Sequence, residues 1–224
     1  MSKNKTVPLT DEEYEPFILR CIDCMEEVKM RLEIIREFLD NKKTIGYLIS
    51  DIEFICLQFR KVLELIALAN LVSNQELYTK QYANFANHYH AKRILIDLEK
   101  INPKFYPVPI NYTISRKEGQ PGRGKIEYIK NGYLTKEEFI EVYDECAELM
   151  HAENPFATPK DINNLKSKFG SWFNKIIVLT NIHLISLESL DKAIWIIMCD
   201  ETDDEVHAVL FNIIEDETYF NLGI

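Results

Sequence analysis

YLISDIEFICLQFRKVLELIALANLV, residues 47–72, is the stretch on which the fold turns. Leu48, Ile49, Ile52, Ile55, Phe59, Val62, Leu63, Ile66 and Leu71 recur at spacings of three and four and cover much of a helix's circumference. A helix that is apolar nearly all round packs at the centre of its domain. Ile52, Ile55, Phe59, Val62, Leu63 and Ile66 are therefore expected in the core.

The neighbouring segments have the patterns such a helix needs around it. On its N-terminal side, residues 10–41 read as a long one-sided helix: Phe17, Ile18, Cys21, Met25, Val28, Leu32 and Ile35 recur at three and four. Thr10 and Glu13 have capping-box spacing there, although Pro16 suggests that the regular helix begins later. On its C-terminal side, residues 75–101 read as a third, more polar helix stopped by Asn102-Pro103. The run NPKFYPVPI, residues 102–110, carries three prolines and reads as a stiff extended connector.

Beyond it the period changes from helical to alternating. Residues 110–134 read as a β-hairpin whose long tip, SRKEGQPGRGK, holds no apolar side chain to order it. Two helices follow, one over 135–151 opened by a capping box at Thr135 and Glu138. The other runs over 158–178, with Thr158 as N-cap, Pro159 behind it, and Phe169, Trp172 and Phe173 as core residues. Residues 182–187, 193–199 and 205–214 form a three-stranded antiparallel meander. Its middle run, AIWIIMC, is apolar on both faces and should be the most covered, with Trp195 and Ile197 inside. The expected class is α+β, a single domain over residues 1–224. It comprises a helical bundle (10–178) with the hairpin inserted and the meander (179–224) appended.

Composition narrows the function classes. The chain has 224 residues, 46% hydrophobic, with five cysteines, an odd set that implies no disulfide framework and fits a reducing cytoplasm. No apolar run is long enough for a membrane span, and MSKNKTVPLTDEE has no signal-peptide core. A net charge of −10 excludes a general nucleic-acid coat. Residues 180–224 carry ten acids and one base, which marks the C-terminal region as a candidate face for a basic protein partner. The hairpin has the opposite sign, and Arg116, Lys117, Arg123 and Lys125 are the candidate RNA contacts.

Most motif fragments fail on context. GQPGRGK, residues 119–125, matches the start of a phosphate-binding loop, but Ile126 replaces the hydroxyl that would hold Mg²⁺ and no helix follows, which leaves nucleotide binding a remote alternative. Cys21-Ile-Asp-Cys24 lies on the apolar face of a helix without a second pair, so core packing is the better account. No residue set reads as a metal site, and no cofactor is implied. Two features remain. Arg60 and Glu64 are one turn apart in the central helix, where Lys61 also emerges, and a charged pair there must be partnered. His151 falls at the end of its helix, before Asn154-Pro155.

On these two features and the helical hairpin, residues 10–178 resemble the HEPN superfamily. Its members are small helical proteins, often dimeric, common in toxin–antitoxin and anti-phage systems, and many are metal-independent ribonucleases. The family's motif is Arg, four to six residues, then His. Here the corresponding positions hold Asp144, Glu145 and Cys146, with no Arg. The resemblance implies a homodimer and a defence context. It also offers a metal-independent endoribonuclease as the alternative to a non-catalytic interaction or regulatory module. In that alternative His151 is the base for the ribose hydroxyl, Arg60 the cation for the developing phosphorane charge, and Glu64 the group that orients Arg60.

Overall fold

The computed structural model describes residues 11–75, 78, 90–115, 123–152, 156, 160–187, 192–198, 203–212 and 219–221. Among them are five α-helices, α1 (Asp11–Leu39), α2 (Leu48–Ser73), α3 (Ala91–Ile101), α4 (Lys136–Glu148) and α5 (Ile162–Thr180). The strands are β1 (Val108–Ser115), β2 (Arg123–Tyr128), β3 (Ile182–Leu187), β4 (Lys192–Ile197), β5 (His207–Asn212) and β6 (Tyr219–Asn221). The α+β class read from the sequence holds.

α1 and α2 form a long helical hairpin. α1 contains Pro16, which close to a helix start forfeits only one backbone bond. It ends where Asn41 turns left-handed at φ 56°. The loop is tied by Asp51, whose two carboxylate oxygens accept from the Thr44 hydroxyl (2.7 Å) and the Ile45 N–H (2.6 Å). Gly46 supplies the φ of 104° that lets the chain re-enter a helix.

α2 is the central element. Cys56, Phe59, Val62, Leu63 and Ile66 are wholly buried, and Phe59 meets Phe169 and Trp172 of α5 at ring-centroid distances of 5.7 and 5.8 Å. Of the expected core, Phe173 and Ile197 are only half-buried. The third helix is shorter than its sequence pattern suggested. His90 has extended backbone (φ −77°, ψ 105°), so the helix begins at Ala91, with its apolar face (Ala91, Ile94, Leu95, Leu98) against the bundle. α4 opens with the expected capping box, Thr135 and Glu138 each satisfying the other's backbone N–H. α5 starts at Ile162 rather than near Thr158. Its N-cap is Asp161, whose carboxylate accepts from the Asn164 N–H at 2.9 Å, while Thr158 and Pro159 lie outside the described residues.

The hairpin and the meander are not separate. They form one six-stranded antiparallel sheet of order β5-β4-β3-β1-β2-β6. The join is narrow: Val108 pairs with Leu184 and Pro109 with His183. β1 therefore begins inside the proline-rich connector, where Pro109 is tolerated because so few ladder bonds are asked of that edge. Two observations explain the register. β4 is buried on both faces, as its sequence suggested. Ile185, Ile194 and Ile196 face the helical core, while Ile110, Ile126, Leu184 and Trp195 form a second apolar cluster on the other side, where Tyr112 meets Trp195 edge-on at 5.0 Å. Among the described residues no helix is long and apolar enough to cross a membrane. The tip residues Arg116 and Lys117, and the side chains of Arg123 and Lys125, lie outside what the structure describes.

Candidate functional site

The Arg60–Glu64 pair is real, and its third member was not anticipated. The Arg60 guanidinium donates to the carbonyl oxygen of Tyr143 in α4 (3.2 Å) and to the Tyr143 hydroxyl (2.8 Å), and reaches Glu64 at 3.5 Å. Its carbon lies 4.0 Å from the centre of the Tyr143 ring. The Tyr143 hydroxyl donates in turn to Glu64 at 3.1 Å. Burial, then the Glu64 charge, raises the tyrosine's pKa. The three side chains form a closed set of charge-assisted bonds that clamps α2 to α4. Below it lie Cys56 and Cys146, both wholly buried; the hydrogen bond between the two thiols, with burial, pushes Cys146 far above the ordinary thiol range. Neither thiol is placed to react.

His151 is elsewhere. It lies two residues past Leu149, the C-cap of α4, is exposed, and does not cap the helix. The Lys160 amine takes the Glu148 carbonyl instead. Arg60 stacks on Tyr143, eight residues before His151, or about 12 Å at helical rise. His151 lines a cleft of about 570 Å³ whose lining includes neither Arg60 nor Glu64. His151 therefore does not share this cleft with Arg60 and Glu64, the residues assigned with it to one chemistry from the sequence.

The cleft has two walls. One is α2 and the loop before it: Ile45, Ile49, Glu53, Phe54 and Leu57. The other is the passage from α4 to α5: Leu149, Met150, His151, Lys160 and Ile162. The α2 wall is uncovered. Ile49, Glu53, Leu57 and Lys61 follow one another at four-residue steps and are all exposed, with Ile49 at 44% and Leu57 at 39%. Ile45, Leu48 and Tyr47, the last at 75%, extend the apolar surface around the helix start. Singly exposed apolar residues are ordinary; a contiguous group beside a cleft is not.

Many charges on the bundle are paired within the chain. Arg31 pairs with Glu27, Arg36 with Glu33, Lys92 with Asp144, Lys168 with Glu145 and Lys175 with Glu138. Among the described residues no ion pair involves Glu53 or Lys61, nor the exposed Asp23 of α1, Glu141 of α4 or Lys166 of α5.

No family model, curated protein or solved structure matches this chain.

The remaining candidates have structural explanations. Cys21 donates to the Ala69 carbonyl and lies 3.3 Å from the Ser73 hydroxyl; burial pushes its thiol up to about 12 and that of Cys24 up to about 11. The CxxC thus joins α1 to α2 as packed, protonated thiols. His183 is buried in β3, its Nδ1 2.9 Å from the Thr180 carbonyl. In the acidic C-terminal region, Asp204 is held by Lys29 at 2.6 Å and Asp203 by His207 at 2.8 Å, so these two acids are engaged within the chain. Among the described residues, no three His, Cys, Asp or Glu side chains are grouped to hold a metal ion.

Glu53, Lys61 and Tyr143 are the site residues that sequence reasoning passed over or left unassigned. The four-residue steps from Ile49 to Lys61 were present in the sequence. In a helix apolar nearly all round, however, periodicity does not say which face is left open.

Proposed function

We propose that this chain is a non-catalytic, HEPN-like interaction module that docks a protein partner through the exposed stripe of α2 and the cleft beside it. One observation carries the reading: apolar side chains Ile45, Ile49 and Leu57 stand exposed along one wall of the cleft, on and just before α2, the most apolar of the described helices. The cleft beside them is lined largely by apolar groups, as a groove for a partner helix is. The helical hairpin of α1 and α2 and a histidine just past the end of α4 support the family resemblance. A defence or toxin–antitoxin setting rests on that resemblance alone.

The ribonuclease alternative asks for a free cation beside His151. Arg60 is committed to Tyr143 and Glu64, and Lys160 binds the Glu148 carbonyl. RNA binding by the basic hairpin is a separate proposal that depends on side chains outside the described residues.

A photo-crosslinking residue placed at Leu57 tests the docking reading in cells that make the full chain. A discrete adduct is expected from position 57 and none from the exposed Met30 on α1. Equal crosslinking at both positions, or none at 57, overturns it.

A further inference from the structure

We propose that β5, at one edge of the six-stranded sheet, takes up an extended segment of a basic partner protein as a seventh strand. The segment is about six residues long, apolar at its centre, with lysine or arginine at both ends. This edge shares no residue with the lining of the α2 cleft and stands independently of the docking reading.

The ladder fixes which backbone groups of β5 face outward. Met198, just past β4, donates its N–H to the carbonyl of Asn181, just before β3, at 2.9 Å. Hydrogen-bonded residues alternate along an antiparallel pair. Ile196 and Ile194 therefore also bond towards β3, while Ile197, Trp195 and Ala193 bond towards β5, where they meet His207, Val209 and Phe211. The N–H and C=O groups of Val206, Ala208, Leu210 and Asn212 point away from β4. The first of these donors is satisfied: the Val206 N–H reaches the Glu26 carboxylate of α1 at 2.6 Å, and Lys29, three residues along α1, holds Asp204. Among the described residues no hydrogen bond meets the outward groups of Ala208, Leu210 or Asn212.

Edge strands are ordinarily blunted by shortness, charge, proline or a bulge. The opposite edge, β6, is three residues long. β5 runs for six residues, HAVLFN, and holds no lysine, arginine, acid, proline or glycine. Its neighbour in the chain does not close it either: residues 213–218 alone separate β5 from β6, yet β6 pairs with β2. An added strand would meet apolar side chains on both faces. Ala208 and Leu210 pack against the helical core, and Val209 stands 53% exposed on the other side. Charge selects the occupant. Residues 200–205 and 215–217, which flank β5, carry eight acids and no lysine or arginine. A second copy adding its own β5 would set acids against acids in either direction, whereas a segment with basic ends meets opposite charge at both. Main-chain bonds supply the affinity, and the alternate side chains and terminal charges supply the specificity.

A labelled synthetic peptide, with a core of alternating valine and threonine between paired lysines at each end, tests this on the full chain. Fluorescence anisotropy should show saturable binding that added salt weakens. Amide exchange measured by NMR should slow at Ala208 and Leu210 when the peptide is present. The same peptide N-methylated throughout its core keeps its charge and side chains but loses its main-chain donors, and should bind about tenfold more weakly or worse. A peptide with glutamates in place of the lysines should bind at least as poorly. Ala208→Pro removes one outward donor and no bond to β4, so circular dichroism should show it folded while its affinity for the lysine peptide falls about tenfold. Absence of binding by the lysine peptide overturns the proposal. So does an N-methylated or glutamate-ended peptide that binds as tightly, since attraction alone or apolar contact alone would then explain the result. A wild-type dimer that Ala208→Pro dissociates would give the edge to a second copy and overturn the basic partner. If Ala208→Pro does not fold, the N-methylated peptide on the wild type decides.

Discussion

A buried histidine with one satisfied nitrogen links the sheet to the acidity of the medium. His183 is wholly enclosed in β3, and burial pushes its pKa down to about 4 from an ordinary value near 6.5. The folded state therefore holds it neutral while the unfolded chain takes up a proton below about pH 6.5. The stability it contributes is complete above that value and is lost as pH falls from about 6.5 to about 4, with a slope approaching 1.4 kcal/mol per pH unit and a total of roughly 3 kcal/mol. Urea unfolding at pH 7.5 and pH 5 should show this loss. His183→Gln should be less stable at pH 7.5 yet vary less between the two. An equally steep dependence in the variant would locate the titration elsewhere. At this scale the sequence was partly legible. The CxxC cysteines could be assigned to packing because they sit on the apolar face of a helix. The clamp on Arg60 could not, because Tyr143 is 83 residues away in the chain and nothing local marks it as a partner.

Elements were legible wherever their signals are local. The capping box of α4 joins residues three apart and was visible as Thr135 and Glu138. Glu138 also receives the Lys175 amine of α5, and that hydrogen bond, outweighing burial, holds its carboxyl below the usual range. Thr135→Ala should therefore cost about 1 kcal/mol in chemical denaturation, seen as a lower midpoint with an unchanged slope. A neutral result would mean that the Lys175 contact alone fixes the helix start. The boundary at His90 was not legible. The polar run of residues 75–90 carries no glycine or proline, so nothing in it announces a break. The missed face of α2 has a different cause: whether an apolar stripe is covered depends on the layout of α4 and α5, which the stripe itself does not encode.

At the scale of the whole molecule, the least legible feature was the union of hairpin and meander. β1 and β3 meet through two residue pairs about 75 positions apart in sequence, and such a narrow join leaves no pattern in either segment. It matters for integrity. Removing everything after residue 181 deletes β3, β4, β5 and β6, strips both outer edges of the β1–β2 hairpin and uncovers Ile110 and Ile126. That truncated chain should express as insoluble material although all five described helices remain, whereas a self-sufficient helical bundle with a dispensable appendage would stay soluble. The fractionation of the two lengths on lysis checks this directly.

The same join sets a timetable for synthesis. The α1–α2 hairpin draws its contacts from neighbouring sequence and has what it needs once residue 73 has emerged. β1 and β2 follow soon after, but β3, the strand that flanks β1, does not begin until residue 182, 54 positions beyond the end of β2. At ordinary translation rates of 5–20 residues per second, the outer edge of β1 in the nascent hairpin waits roughly 3–11 s for its neighbour, and that of β2 waits longer for β6. During that interval its neighbour on a crowded polysome is another copy of the same unfinished hairpin. The order in which the strands are made, as much as the stability of the finished sheet, then determines how much of the product reaches the folded state, and slower decoding across α4 and α5 lowers the yield.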